Sequence, residues 1–130
     1  MTPGAAHAAW IPCDKHDLRR AEAAVAAGYP AVEPVLPALM EWLQDLNWPV
    51  ARVLAPFLAS IGAPLLPHVR AVLASGDDVW KYGIVGRLVG ESDVLPRQLR
   101  AELVRLVEAP TASEIAEELP EIAREVLERG

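Results

Sequence analysis

Two stretches of this chain repeat one another thirty residues apart. Residues 34–43 read PVLPALMEWL and residues 64–73 read PLLPHVRAVL, with both prolines, both Leu-Pro steps and the final leucine in register. A second match follows at a shift of 32, where Asp45, Trp48 and Val53 fall on Asp77, Trp80 and Val85, so the second copy carries two extra residues in its internal turn. A unit of this length cannot bury its apolar face alone and has to stack on a neighbour. The periodicity is helical nearly throughout, with no run of strict alternation that would mark a sheet strand. These features predict an all-α chain: a short right-handed α-solenoid of helical hairpins, with about seven helices. Each unit is helix, short acidic turn, helix.

The punctuation agrees with that reading. Asp14 is a candidate N-cap for a helix over residues 15–27, closed by Gly28 and Pro30. Pro34 with Pro37, and Pro64 with Pro67, fit a first helical turn, where the N–H groups have no intrahelical partner to lose. Asn47 and either Asp77 or Asp78 suit the N-caps of the helices that follow the turns, and Pro49 falls just after Asn47. Gly62 supplies a left-handed residue before the next proline, and Pro56 lies inside a helix, where a kink is expected. Further on, Pro96 opens a helix carrying Leu99, Leu103, Leu106 and Val107. Thr111 and Glu114 form a capping box, and Ile115, Leu119, Ile122 and Val126 follow at helical spacing, with a bend or break near Pro120. Gly83, Gly86 and Gly90 share a helix face and suit close packing. One domain over 1–130 is expected, with a loose segment over 1–13, repeats over about 31–62 and 63–91, and capping helices over 95–130.

Composition narrows the classes of function. Apolar residues make up 52% of the 130 against 23% charged, which is a globular balance. Twelve Lys and Arg against eighteen Asp and Glu leave a net charge of -6, which argues against nucleic acid and anionic lipid and favours, if anything, a basic partner. The N-terminus lacks the basic and apolar regions of a signal peptide, and a single cysteine, Cys13, suits a reducing compartment, so a cytoplasmic location is expected. The longest stretch free of charged residues, Val53 to Val69, is 17 residues and is broken by Pro56, Gly62, Pro64 and Pro67; it reads as two buried helices around a turn and implies no membrane. Phosphate-loop and dinucleotide fingerprints are absent, and Ser60, Ser75, Ser92 and Ser113 lie in no nucleophile elbow. Cys13 and His16, with His7 upstream, fall short of a metal site, and His68 reads as a core or turn histidine. No catalytic, cofactor-binding or metal-ligating residue is expected, and no cofactor.

Several strings carry a family resemblance. DLNWPVA from Asp45, followed by LASIGAP, resembles the inner part of a HEAT repeat. WIPCDKHDL near the start, GYPAVEPVLPALMEWLQDLNWPVA, DDVWKY from Asp77 and PTASEIAEE from Pro110 together resemble a bacterial HEAT-like family known as domain of unknown function 5071. The resemblance runs from about Trp10 to Leu127, and it departs at Gly83, where the family tends to carry an aromatic. It implies a fold and no established activity.

The candidate site is the pair of turns. Gln44, Asp45, Asn47 and Trp48, beside Trp42, form one; Asp77, Asp78, Trp80 and Lys81, beside Tyr82, form the other. Stacked repeats would set the two on one edge as a partner-binding surface. Lys81 opposes the dipole of its own helix start, so it needs a compensating acid, for which Asp45 and Asp78 are the candidates; otherwise it is free to bind. Glu117, Glu121, Glu125 and Glu128 form an acidic stripe on the last helix. A nonenzymatic protein-binding or adaptor module is the expected function. Two alternatives stand beside it: an immunity-type protein that neutralises a basic toxin, and a small-molecule or hydrolytic pocket formed by the paired Asp and Trp residues.

Overall fold

The computed structural model describes residues 7–129, and among them every regular element is helical. Nine α-helices run in chain order: α1 Leu18–Ala27, α2 Leu36–Glu41, α3 Pro49–Ile61, α4 Leu66–Leu73, α5 Asp78–Gly83, α6 Leu95–Gln98, α7 Arg100–Glu108, α8 Ala112–Ala116 and α9 Leu119–Arg129. Short 3-10 turns precede α2 and α4, and a π-helical segment, Ile84–Val89, continues α5. The chain divides into two compact units, Met1–Phe57 and Leu58–Gly130, with the boundary inside α3.

Nine helices replace the expected seven because two long ones break. The leucine-rich helix after Pro96 bends at Leu99, where ψ opens to 17°, although Leu99 still donates to Leu95 and accepts from Leu103. The last helix breaks outright at Glu118, whose φ of 61° is left-handed. Pro120 explains the position, since a proline inside a continuous helix would lack its N–H and push its ring against the carbonyl four residues back. The break resets the helical phase. Leu119, Ala123 and Val126 are buried, whereas Ile115, expected on the same stripe, is 56% exposed.

In the first unit, α1 starts later than expected. Its N-cap is Asp17, which accepts from Arg20 N–H at 3.3 Å and from Cys13 N–H at 2.9 Å. Asp14 instead closes a local turn by accepting from His16 N–H at 2.8 Å. Gly28 ends α1 at φ 73°, as its position predicts. Of the segment expected to be loose, residues 1–6 lie outside the described residues; in the remainder His7 stacks on Trp10 at 5.7 Å and Pro12 is buried.

The first half of the repeat is exact in local structure. Pro34 sits in the 3-10 turn Glu33–Val35 and Pro37 in the first turn of α2; thirty residues on, Pro64 sits in Ala63–Leu65 and Pro67 in the first turn of α4. Val35 donates to Val32 and Leu65 to Gly62, both at 2.9 Å. The prolines therefore open two successive elements rather than sharing one turn.

In the second unit, the glycine face is a seat for α9. A methyl at Gly86 would lie 3.3 Å from Ile122, and one at Gly90 would lie 3.3 Å from Val126 and 2.7 Å from the Gly86 carbonyl. Gly90 N–H donates to Val85 at 2.8 Å, the wide bond of the π-helical segment. Gly62 has φ 78°, and a side chain there would meet Val94 at 2.9 Å. No single helix among the described residues is long and apolar enough to cross a membrane.

Candidate functional site

The two turns that the repeat aligns are built differently. After α2, Trp42, Gln44 and Leu43 N–H groups donate three residues back, unwinding the helix. Asp45 then accepts from Asn47 N–H on its side chain at 2.8 Å and from Trp48 N–H on its carbonyl at 3.1 Å. Trp48 remains outside α3 and meets Trp42 edge to face at 5.5 Å, a geometry that aromatic quadrupoles favour. Asn47 lies two residues before the first helical residue, Pro49, and is not its cap. Gln44 and Asn47 are exposed; Asp45 and Trp48 are half-buried.

In the second turn, Ser75 Oγ donates to the Val72 carbonyl at 2.6 Å and accepts from Asp77 N–H at 3.3 Å. Asp77 caps α5, accepting from Trp80 N–H at 3.0 Å. Trp80 thus lies within the first turn of a helix, whereas Trp48 precedes one. The helix starts, Pro49 and Asp78, are 29 residues apart, so the alignment at a shift of 32 does not carry over into local structure.

Lys81 settles into a buried ion network. Its Nζ lies 2.9 Å from Asp78 Oδ1 and 3.1 Å from Glu114 Oε2, with the three side chains only 7%, 11% and 2% exposed. Of the two acids expected to compensate it, Asp78 does so, and Glu114 joins from 33 residues away. Arg105 grips Glu114 with both guanidinium nitrogens, Nη2 to Oε2 at 2.7 Å and Nη1 to Oε1 at 3.0 Å, and Nη1 also donates to the Ala109 carbonyl. Glu114 meanwhile completes the expected capping box: Thr111 N–H donates to Oε1 at 2.8 Å and Thr111 Oγ1 accepts from Glu114 N–H at 3.2 Å. One carboxylate therefore joins α5, the last turn of α7 and the start of α8.

The electrostatics follow from this geometry. The Arg105 guanidinium, followed by Thr111 N–H and the Lys81 ammonium, holds the Glu114 carboxyl at about 2 despite its burial. Asp78 is held below the ordinary carboxylate range by the Lys81 ammonium and the Ser113 hydroxyl. Burial pushes the Lys81 ammonium down, but Asp78 and Glu114 outweigh it and the net direction is up. All four charges are thus ionised at neutral pH and cancel pairwise. Sequence reading placed Glu114 only in its capping box; its distance in sequence from Lys81 left no local signal of the pair.

An open cleft of about 460 Å³ lies over this network, walled by Leu73, Ala74, Ser75, Gly76, Asp78, Lys81, Arg105, Thr111, Ser113 and Glu114. Of the residues singled out in the sequence it takes Asp78 and Lys81; Asp77 and Trp80 are not in its wall. Asp77 is exposed and Trp80 half-buried. The Glu117, Glu121, Glu125 and Glu128 stripe is exposed, with Glu125 3.9 Å from Arg129. Among the described residues no group of three or more His, Cys, Asp or Glu is placed to hold a metal ion. Cys13 is exposed and accepts from Arg20 Nη1 at 3.0 Å, and His68 is half-buried in α4.

The family model described as Domain of unknown function (DUF5071) matches residues 10–127. No curated protein matches the chain. With nearly its whole length covered, the chain belongs to the DUF5071 family.

Proposed function

We propose that this DUF5071 member is a noncatalytic protein-binding or adaptor module of the bacterial cytoplasm, its hairpins stacked as a short HEAT-like α-solenoid. The observation that carries the reading is the self-pairing of the cleft. Its two cations and two carboxylates neutralise one another at 2.7–3.1 Å, and Glu114 is held ionised at about 2, so the charged groups that wall the cleft are taken up by one another. The charged chemistry is spent on holding helices together. What remains outward are the turn residues of each unit: exposed Gln44 and Asn47 with half-exposed Asp45 and Trp48 in the first, and exposed Asp77 with half-exposed Trp80 in the second. Solenoids present such edges to macromolecules.

Affinity capture from the native cytoplasm tests this reading, with an Asp45→Asn/Asp77→Asn variant as the control. Asparagine keeps both local hydrogen-bonding roles and removes only charge. A discrete protein retained by the native chain and lost from the variant is the expected result. Identical retention by both overturns the assignment to the turns. Two other readings have specific support. The cleft is not the pocket of paired Asp and Trp residues, since of Asp45, Asp77, Trp48, Trp80 and Lys81 it takes only Lys81, but its volume lies within the range of ligand sites, so a small molecule that raises the melting temperature and is blocked by Thr111→Trp favours a binding pocket there. The exposed glutamate stripe favours an immunity-type role, in which the captured protein is a basic toxin.

A further inference from the structure

α5 begins about two turns before Gly86, the first glycine of the seat that α9 is seen to cover. Ile122 covers Gly86 and Val126 covers Gly90, so α9 runs along the seat in the same direction as the helix beneath it. Toward the N-terminus the same side of α5 carries Val79 and Tyr82, one turn apart. These stay 57% and 38% exposed, two large apolar side chains on a helix whose other face is fixed by the Lys81 network. The junction between α8 and α9 connects two anchor points on this helix: Glu114 reaches Lys81 and Ile122 lies over Gly86, and Tyr82 falls between Lys81 and Gly86 in sequence. That junction consists of Glu117 and Glu118, followed by Glu121 in the first turn of α9, all exposed, and Asp77 is exposed at the start of α5. Lys81 is occupied by Asp78 and Glu114, and Arg105 by Glu114, while Arg87 and Arg124 are exposed. An apolar ledge is thus accompanied by four exposed carboxylates.

We propose that Val79 and Tyr82 form a docking ledge for a basic amphipathic helix of a partner protein. The partner's apolar residues, spaced i and i+3 or i+4, would cover the ledge, and its lysines or arginines would face Asp77, Glu117, Glu118 and Glu121. The chain's net charge of -6 adds long-range attraction for the same partner. This deepens the protein-binding reading and rests on it, since it names the surface and the chemistry of the partner.

The test uses the full chain and two designed helical peptides with the same leucine face, one with lysines and one with glutamates on the polar face. Binding is followed by fluorescence anisotropy at low and high salt. The lysine peptide binds and weakens with salt; the glutamate peptide does not bind. Val79→Asp/Tyr82→Asp, checked for native circular dichroism, weakens the lysine peptide at least about tenfold. This variant adds two negative charges, so attraction by bulk charge alone would tighten it. Retained or tighter binding by the variant, or equal binding of the glutamate peptide, overturns the ledge. Capture of a cytoplasmic protein sensitive to Asp45→Asn/Asp77→Asn but not to Val79→Asp/Tyr82→Asp leaves the protein-binding reading standing and removes this surface from it.

Discussion

The turn before α3 and the turn before α5 align in sequence and solve the same problem by different means. The first is closed within a few residues: Asp45 accepts from Asn47 and Trp48, and Trp48 rests on Trp42. The second is held from a distance. Asp77 caps the helix, but the decisive contacts come from Glu114 and Arg105, more than twenty residues downstream. A locally closed turn gains little from burial and loses little when altered. A turn tied to three helices through buried charges depends on every partner, because removing one leaves another desolvated without its counter-charge. The two turns should therefore differ sharply in their sensitivity to substitution.

The largest expected effect is at Glu114. Glu114→Ala leaves Lys81 with Asp78 alone, takes the carboxylate from Arg105 and opens the capping box, and should destabilise the chain by about 3–5 kcal/mol in urea unfolding. Asp45→Ala in the other turn should cost less than about 1 kcal/mol. Comparable losses for the two would erase the distinction.

The same carboxylate predicts a pH dependence. Its folded value is about 2 against an ordinary 4.5, so it is depressed, and its stabilisation is complete above pH 4.5 and is lost as pH falls toward 2. The loss is on the order of 2–3 kcal/mol, and Asp78 acts in the same direction. Chemical denaturation from pH 6 to pH 3 measures it, and the drop should shrink in Glu114→Gln.

Glycines offer a sharper, smaller contrast. Gly62 and Gly28 share a positive φ, but only Gly62 would place a side chain against a neighbour, Val94 at 2.9 Å. Gly28→Ala carries the backbone strain alone, about 1 kcal/mol, and Gly62→Ala should exceed it by at least about 1 kcal/mol in thermal unfolding. Smallest is the cap: Asp77→Ala should cost about 1 kcal/mol and Asp77→Asn almost nothing.

Much of the fold was legible because its signals are local. Pro34, Pro37, Pro64 and Pro67 each start an element since proline lacks the N–H that only a first turn can spare. Gly28 and Gly62 end helices at positive φ, Thr111 and Glu114 make their capping box, and Gly86 and Gly90 admit a neighbouring helix. What escaped was either a choice between similar neighbours or a pairing across the chain. Asp17 takes the cap in place of Asp14 because its second carboxylate oxygen also accepts from Cys13 N–H and pairs with Arg20. The phase reset at Glu118 exposes Ile115, which a continuous apolar spacing places inside. At the site, the need of Lys81 for a counter-charge was readable from the helix dipole, and Asp78 was in reach. Glu114 and Arg105 were not, since only the folded chain brings residues 81, 105 and 114 together.

A double-mutant cycle between Lys81→Met and Glu114→Gln tests most directly whether that network holds α5 to α8. Urea unfolding of the native chain, the two single variants and the double variant should give a coupling of at least about 1.5 kcal/mol, with the double variant more stable than the sum of the single losses implies. Additive losses, within about 0.5 kcal/mol, would mean that Lys81 and Glu114 do not sense one another and would contradict the account.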